Sequence, residues 1–370
     1  MKSSFQRCSC WLLLLCGCLA TAHTAPPSPP AAESQPQHRD YTVFLCSDIH
    51  PGAENLKAKE PFTKADTLER VKQQLDAMRG WVGQSYPQRP VFAGLELGTV
   101  GVPRGLFILG DLTDGHKELT QQQEQWQSFE ALFPVKGVAF GSNLIPAFAI
   151  AGNHDGELAG PQRQGLVNRN RAFSQAGRVT ALSSNGVHFA LNLDGVHFIG
   201  LGLCPADTTD SKTPFKFGQP GSGSWNDPQG ALTFLKDYLA RYVGSSGQPV
   251  VLLQHYGFDS FSLNDWNWWT PKQRRALYDL LKDYNVAAIV HGHNHHAEHY
   301  RWPDPKRHAA DLDFFFDGKP PANARQYDVV SCGNVCWVIR IRGNQMLGAN
   351  FKGPDWNTDP AAVFVKSLKP

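Results

Sequence analysis

The sequence predicts an α/β fold of mixed β-sheets with helices on their outer faces. Two observations carry the prediction. Through the middle of the chain, short continuous apolar runs alternate with amphipathic helical patterns. Continuous runs of about four to eight apolar residues suit strands buried on both faces, and strand–helix alternation implies parallel pairing. Elsewhere, apolar segments flank tight-turn residues and read as antiparallel hairpins.

The first residues stand outside that fold. Lys2 and Arg7 precede an apolar run from Trp11 to Leu15, and small residues follow. This is a basic n-region, a short h-region and a cleavage zone, so residues 1–22 read as a signal peptide. The run falls short of the ~20 apolar residues that a membrane span requires. Two cleavage patterns compete. Ala20-Thr21-Ala22 fits small-x-small cleavage, whereas Leu15-Cys16-Gly17-Cys18 looks like a bacterial lipobox. In the second case the signal ends at Gly17 and a lipid anchors the protein through Cys18. Either way the protein is expected to be exported: secreted, periplasmic or lipid-anchored to a membrane. Pro, Ala, Ser and Gln dominate from Ala25 to Gln37, so residues 23–40 read as a linker. Residues 41–370 show no further shift in composition and no internal repeat, and are read as one domain.

A formal net charge of +2 argues against nucleic acid or an acidic membrane surface as the main partner. Of eight cysteines, Cys8, Cys10, Cys16 and Cys18 fall in the signal region, so the body is no disulfide scaffold. A Cys332–Cys336 bridge is open in an exported protein, although a turn at Gly333-Asn334 would set the two diagonally across a hairpin.

One pattern recurs through the body: an apolar run stops and His, Asp or Asn follows. Thr42 to Leu45 leads to Asp48 and His50, and Leu106 to Leu109 leads to Asp111 and Asp114. Ala147 to Ile150 leads to Asn153, His154 and Asp155, Val250 to Leu253 to His255, and Ala287 to Val290 to His291, His293 and His295. The intervening helices carry start signals: Asp66 with Glu69 and Thr120 with Gln123 as capping boxes, then Pro228 and Pro271 at first helical positions. His188–Leu193 and Val196–Leu201 flank the turn signal Asp194-Gly195. Tyr327–Ser331, Cys336–Ile341 and Gln345–Phe351 read as a terminal meander around Gly333-Asn334 and Gly343-Asn344. In a parallel sheet the loops at the carboxyl ends of the strands share one edge, where ligands bind. The five polar clusters therefore converge.

Carboxylates and imidazoles in that number suit two metal ions held about 3.5–4 Å apart by a bridging carboxylate. Gly110, Gly152 and Gly292 precede ligand positions where the chain must leave a strand sharply. These five blocks, in this order from Asp48 to His295, resemble the calcineurin-like metallophosphoesterase superfamily. The resemblance implies a four-layer αββα sandwich. It implies that Asp48, His50, Asp111 and His295 hold one metal, and that Asp111, Asn153, His255 and His293 hold the other. His154 would stand beside the phosphoryl group, oriented by Asp114. The implied activity is hydrolysis of a phosphomonoester or phosphodiester, by a metal-bridging hydroxide attacking phosphorus in line while His154 assists the leaving group. The alternative is an exported ligand-binding protein that keeps the fold without turnover. The donor set accepts Zn, Mn, Fe or Co. Purple acid phosphatases carry Tyr where Asp114 stands, and protein Ser/Thr phosphatases carry Arg where Gly115 stands. The first departure means that no tyrosine–iron colour is expected, and the second argues against protein-phosphatase activity; the expected substrate is a small-molecule or lipid-head-group phosphoester.

Several residues take blander readings. His188 and His197 alternate with apolar neighbours as strand surface, and Cys46 reads as a small core residue. His291, His296 and His299 have no counterpart in the resemblance. Asp155 is read as support for His255 or for its own turn. The aromatic segment from Tyr256 to Trp269 either walls a pocket or packs onto the domain, and Lys212, Lys216, Arg163 and Arg169 are candidates to meet phosphate.

Overall fold

The computed structural model describes residues 39–369 apart from 116–117, 157–159, 204–227, 259–268, 270 and 305–323. Lys212 and Lys216, Cys204 and most of the aromatic segment lie outside the described residues.

Two seven-stranded mixed sheets form the body. The first joins β1 (Asp40–Cys46), β2 (Pro103–Leu109) and β5 (Ala147–Ile150) in parallel. A hairpin of β3 (Val138–Phe140) and β4 (Asn143–Ile145) stands apart, just before β5. On its other side β1 pairs antiparallel with β13 (Cys336–Arg342), then come β14 (Gln345–Lys352) and the short β15 (Asp355–Trp356), with β16 (Val363–Ser367) also on β14. The second sheet runs β11 (Glu298–Trp302), β12 (Tyr327–Ser331), β10 (Val286–His291), β9 (Val250–Leu253), β8 (Val196–Gly200), β7 (Phe189–Leu193), β6 (Ala181–Leu182). Strands β8, β9, β10 and β12 are mutually parallel.

Alternation along each strand sorts the side chains into layers. Val43 and Leu45, Phe107 and Leu109, and Phe148 and Ile150 meet Phe198, Val251, Leu253 and Val290 between the sheets. Phe44, Leu106 and Ile108 turn outward onto Val71 and Leu75 of α1 (Lys64–Trp81) and Phe129 of α2 (Leu119–Leu132). Ile199, Val250, Leu252 and Ile289 turn outward onto α4 (Ala231–Tyr238) and α5 (Pro271–Leu281). Helix α3 (Pro161–Gln175) lies alongside α2 and β5. The arrangement is an αββα sandwich.

Several local expectations are corrected. The capping box of α1 is Thr63 with Asp66, one turn earlier than Asp66 with Glu69. Thr63 is extended, so its hydroxyl reaches the Asp66 amide (3.2 Å), while Asp66 is already helical and accepts from the Thr63 amide (2.8 Å). Thr120 lies inside α2, whose cap position is Glu118. The terminal meander is split between the sheets. β12 is buried on both faces and pairs with β10, and the chain crosses through Gly333-Asn334 to enter the first sheet as β13. Cys332 and Cys336 are free thiols. His188 and His197 are buried rather than surface: His197 meets Tyr238 Oη at 2.9 Å and Gln248 Oε1 at 2.6 Å, and the His188 ring bonds the Gln229 carbonyl at 2.9 Å. The turn at Asp194-Gly195 forms as expected, with both residues at positive φ.

Candidate metal centre

The carboxyl ends of β1, β2 and β5 face those of β9 and β10 across the gap between the sheets. Leaving a strand at once to aim a side chain into that gap requires unusual backbone. Seven described non-glycine residues have positive φ, and five are Asp48 (54°), His50 (41°), Asp111 (51°), His293 (68°) and His295 (53°). Each such residue costs about 1–2 kcal/mol unless its surroundings over-determine it. Here they do. Asp48 and His50 donate their amides to the carbonyls of Gly110 (3.2 Å) and Asp111 (3.3 Å), and the His293 amide reaches across to Asp48 Oδ2 (3.0 Å).

Asp111 stands at the centre, 1% exposed, with one carboxylate oxygen turned to each side. Oδ1 lies 3.3 Å from His255 Nε2 and accepts the His154 amide at 2.9 Å. Oδ2 lies 3.7 Å from His50 Nε2 and 4.0 Å from His154 Nε2. Two sets of donor atoms flank it, each gathered within 4.8 Å: Asp48, His50 and His295 on one side, and Asp111, His255 and His293 on the other. Asn153 Oδ1 sits 3.0 Å from His255 Nε2, on the second side.

Backbone carbonyls fix which nitrogen each imidazole presents. A carbonyl only accepts, so the ring nitrogen facing it carries the proton. His255 Nδ1 donates to Leu109 O (2.6 Å), His50 Nδ1 to Thr113 O (2.8 Å) and His154 Nδ1 to Asp114 O (2.8 Å). In all three rings Nε2 is left for the centre, as outer partners of metal-binding histidines commonly arrange. His50, Asp114 and His154 also cluster, but through Nδ1 atoms already committed to carbonyls. That group is a scaffold, with Asp114 Oδ1 3.5 Å from each of the two Nδ1 atoms. Asp114 therefore orients His154 through its main chain first.

Asp155 ties two of the loops together. Its Oδ1 accepts from the Thr113 amide (2.9 Å) and hydroxyl (3.0 Å), and its Oδ2 from the Gly152 amide (2.7 Å). Gln125 on α2 holds the Asp114 amide at 3.1 Å, and the Ser47 hydroxyl bonds Asp48 Oδ2. Glycine is required twice for different reasons. Gly110 has φ 87°, and a side chain at either Gly110 or Gly152 would collide with the His255 ring. Gly152 is not left-handed; it is needed for space.

The protonation pattern follows from this packing. Burial by itself would push His255 down, but the adjacent Asp111 carboxylate outweighs it and raises His255 to about 9. Burial opposes ionisation of Asp111 as well, yet the His255 charge and its hydrogen bond hold it well below the usual carboxylate range. His293 is pushed well below the ordinary imidazole value by burial and by the neighbouring His255 charge. His295 is raised by its bond to Asp48. One proton on His255 Nε2 thus joins Asp111 and Asn153, atoms that a cation would otherwise join. The buried Asp48 carboxylate turns Oδ1 toward His295 Nε2 at 3.4 Å. Carboxylate oxygens and imidazole nitrogens converging without enough donors between them fit a pair of divalent ions.

A sequence model of the calcineurin-like phosphoesterases matches residues 41–297. The chain belongs to this family. No curated protein matches it. Solved structures similar to this calcineurin-like phosphoesterase include TT1561 of Thermus thermophilus, at 11% identity and TM-score 0.39, covering 89% of this chain and 100% of that one. A conserved uncharacterized protein (predicted phosphoesterase) from Streptococcus pneumoniae is similar at 9% identity and TM-score 0.33, over 90% of this chain and 99% of that one. A metallophosphoesterase from Sphaerobacter thermophilus is similar at 10% identity and TM-score 0.27, over 85% and 89%. The phosphoesterase has a dinuclear metal-binding site of Asp and His clusters, consistent with metal-dependent hydrolysis.

All nine residues singled out for the site lie at this centre. Sequence reasoning missed Thr113 and Ser47, whose signal was only their place inside the ligand blocks. The Leu109 carbonyl had no signal at all. Arg163 and Arg169 turn inward: Arg163 Nη2 reaches the Gly152 carbonyl (3.3 Å), and Arg169 binds the Ala147 and Phe133 carbonyls. Tyr256, Phe258 and Trp269 are buried in the core beneath α4 and α5, so those ends of the aromatic segment pack onto the domain.

Proposed function

We propose that the protein hydrolyses a small-molecule phosphoester at Asp111. Asp48, His50, Asp111 and His295 hold one metal ion, Asp111, Asn153, His255 and His293 hold the other, and His154 assists the leaving group. The observation that carries the reading is the central carboxylate, buried and presenting one oxygen to each donor set. Two ions bound there supply Lewis acidity toward phosphoryl oxygens and a water acidic enough to attack near neutral pH.

The chain's own residues supply orientation and a proton. His154 is 27% exposed at its side chain, so it faces both the centre and incoming substrate. Its Nδ1 is committed to the Asp114 carbonyl, so the proton it can hand to a leaving oxygen is the one on Nε2. The test compares alkyl and nitrophenyl phosphates, with Zn, Mn, Fe or Co added back to metal-free protein. His154→Ala should keep both metals and slow alkyl esters by ~10²–10⁴-fold. Nitrophenyl esters should lose much less, because nitrophenolate departs without a proton. Equal losses would overturn the proton-donor role, and metal loss would make His154 a ligand. Wild-type protein inert toward every ester with every metal would overturn the function itself.

We also read the protein as exported, on the strength of Lys2, Arg7 and the apolar run Trp11–Leu15. Mass spectrometry of the mature chain separates the alternatives: a start at His23 without lipid means ordinary signal cleavage, and a lipidated Cys18 means a membrane anchor. An intact Met1 would overturn export by either route.

A further inference from the structure

Beside the metal centre lies a cleft of about 440 Å³, within the range of small-ligand sites. It is lined by Asp48, His50 and His295 together with Arg70, Lys352 and Gln74. Arg70 rises from the exposed face of α1 and donates Nη2 to the Ile49 carbonyl (3.2 Å), between two proposed ligands. Among the described residues neither Arg70 nor Lys352 forms a salt bridge, although acidic groups crowd the neighbouring centre. A cation so placed, with most of its donors still uncommitted, is completed by an anion.

We infer that this cleft receives the non-reacting part of the substrate, and that this part carries a second phosphate gripped by Arg70 and Lys352. The inference rests on the proposed hydrolysis at Asp111 and narrows its substrate class to phosphoesters with a second phosphate group. Arg70 and Lys352 line the cleft together with Asp48, His50 and His295, and the cleft is far larger than one phosphate needs. The cleft therefore has room for a second phosphate beside the reacting one.

The test uses metal-loaded, full-length protein and two substrates, propane-1,3-diol bisphosphate and propyl phosphate. Wild type should prefer the bisphosphate in kcat/KM by about tenfold or more, mainly through KM. Arg70→Gln and Lys352→Gln should each reduce that preference about tenfold. Calorimetry with the non-hydrolysable propane-1,3-bisphosphonate and propylphosphonate should show the same loss in affinity, without relying on turnover. No bisphosphate preference in wild type, or a preference untouched in both variants, would overturn the inference and leave the hydrolase reading standing. Equal losses on both substrates would place the cations on the reacting phosphate and overturn it too. Failure of wild type on both substrates would instead count against the hydrolase reading.

Discussion

Asp155 touches no substrate, yet its removal should disturb both stability and metal binding. Its carboxylate, 2% exposed, accepts from three donors: the Thr113 amide, the Thr113 hydroxyl and the Gly152 amide. In Asp155→Ala the Thr113 hydroxyl keeps the His154 carbonyl (3.2 Å), whereas the two amides are orphaned. Each orphaned buried donor costs about 1–3 kcal/mol. Part of that is returned, because burial and the nearby Asp111 charge already hold the Asp155 pKa above its ordinary value. The expected net loss is about 2–4 kcal/mol, a large share of the ~5–15 kcal/mol that holds a typical domain folded. Asp155→Asn keeps one acceptor for Thr113 but turns an amide donor toward the Gly152 N–H, so it should fall between wild type and Ala. The carboxylate also fixes the Asp111 loop against the Asn153–His154 loop. Metal affinity should therefore fall ~10–100-fold, as it does when outer partners of ligands are lost. Denaturant titration of metal-free protein and calorimetric titration with zinc measure the two effects. An Ala variant within about 0.5 kcal/mol of wild type, the ordinary range for an uninvolved site, with unchanged metal affinity, would refute the claim that Asp155 carries the loop tie.

Three further outcomes follow from the centre. Asp111→Asn removes the charge shared between two ligand sets, so it should lose metal and nearly all hydrolysis; two metals per chain at normal activity would refute the bridging assignment. His255, raised to about 9, keeps at pH 7 a proton that a metal must displace. Metal affinity should then climb toward pH 9 by up to about tenfold per unit, with proton release visible when calorimetry is repeated in buffers of different ionisation heat. In metal-free protein the same group has a folded pKa above its unfolded value. Its stabilisation is complete below about 6.5 and lost as pH rises through about 9. A flat response between pH 7 and 9 in both measurements would contradict the raised His255.

Much of the fold is local in origin and therefore legible along the chain. A strand buried on both faces must be apolar throughout, so β1, β2, β5, β9 and β10 stand out as apolar runs, and each ligand block sits directly behind one. Asp194-Gly195 marks its hairpin because positive φ at both positions needs those residue types. Gly333-Asn334 carries the same local signal, yet it marks a crossing between sheets. Turn chemistry fixes how sharply the chain bends; only the burial of β12 on both sides decides which sheet receives each arm. His188 and His197 escape a reading along the chain for a related reason, since alternation gives the face of a strand and not what covers it. The covering group is α4, whose Tyr238 meets His197 from outside the sheet.

At the centre the division is the same. The donor set is legible along the chain, because carboxylates and imidazoles at fixed places after strands are a property of residue type and order. Folding settles the rest: which oxygen of Asp111 faces which imidazole, which carbonyl fixes each tautomer, and which cations line the neighbouring cleft. Leu109, Thr113 and Asp114 act through main-chain oxygens that every residue possesses. Arg70 reaches the site from a helix surface, 21 residues from the carbonyl it holds. Such contacts depend on distances between segments far apart in the chain, and only packing sets those distances.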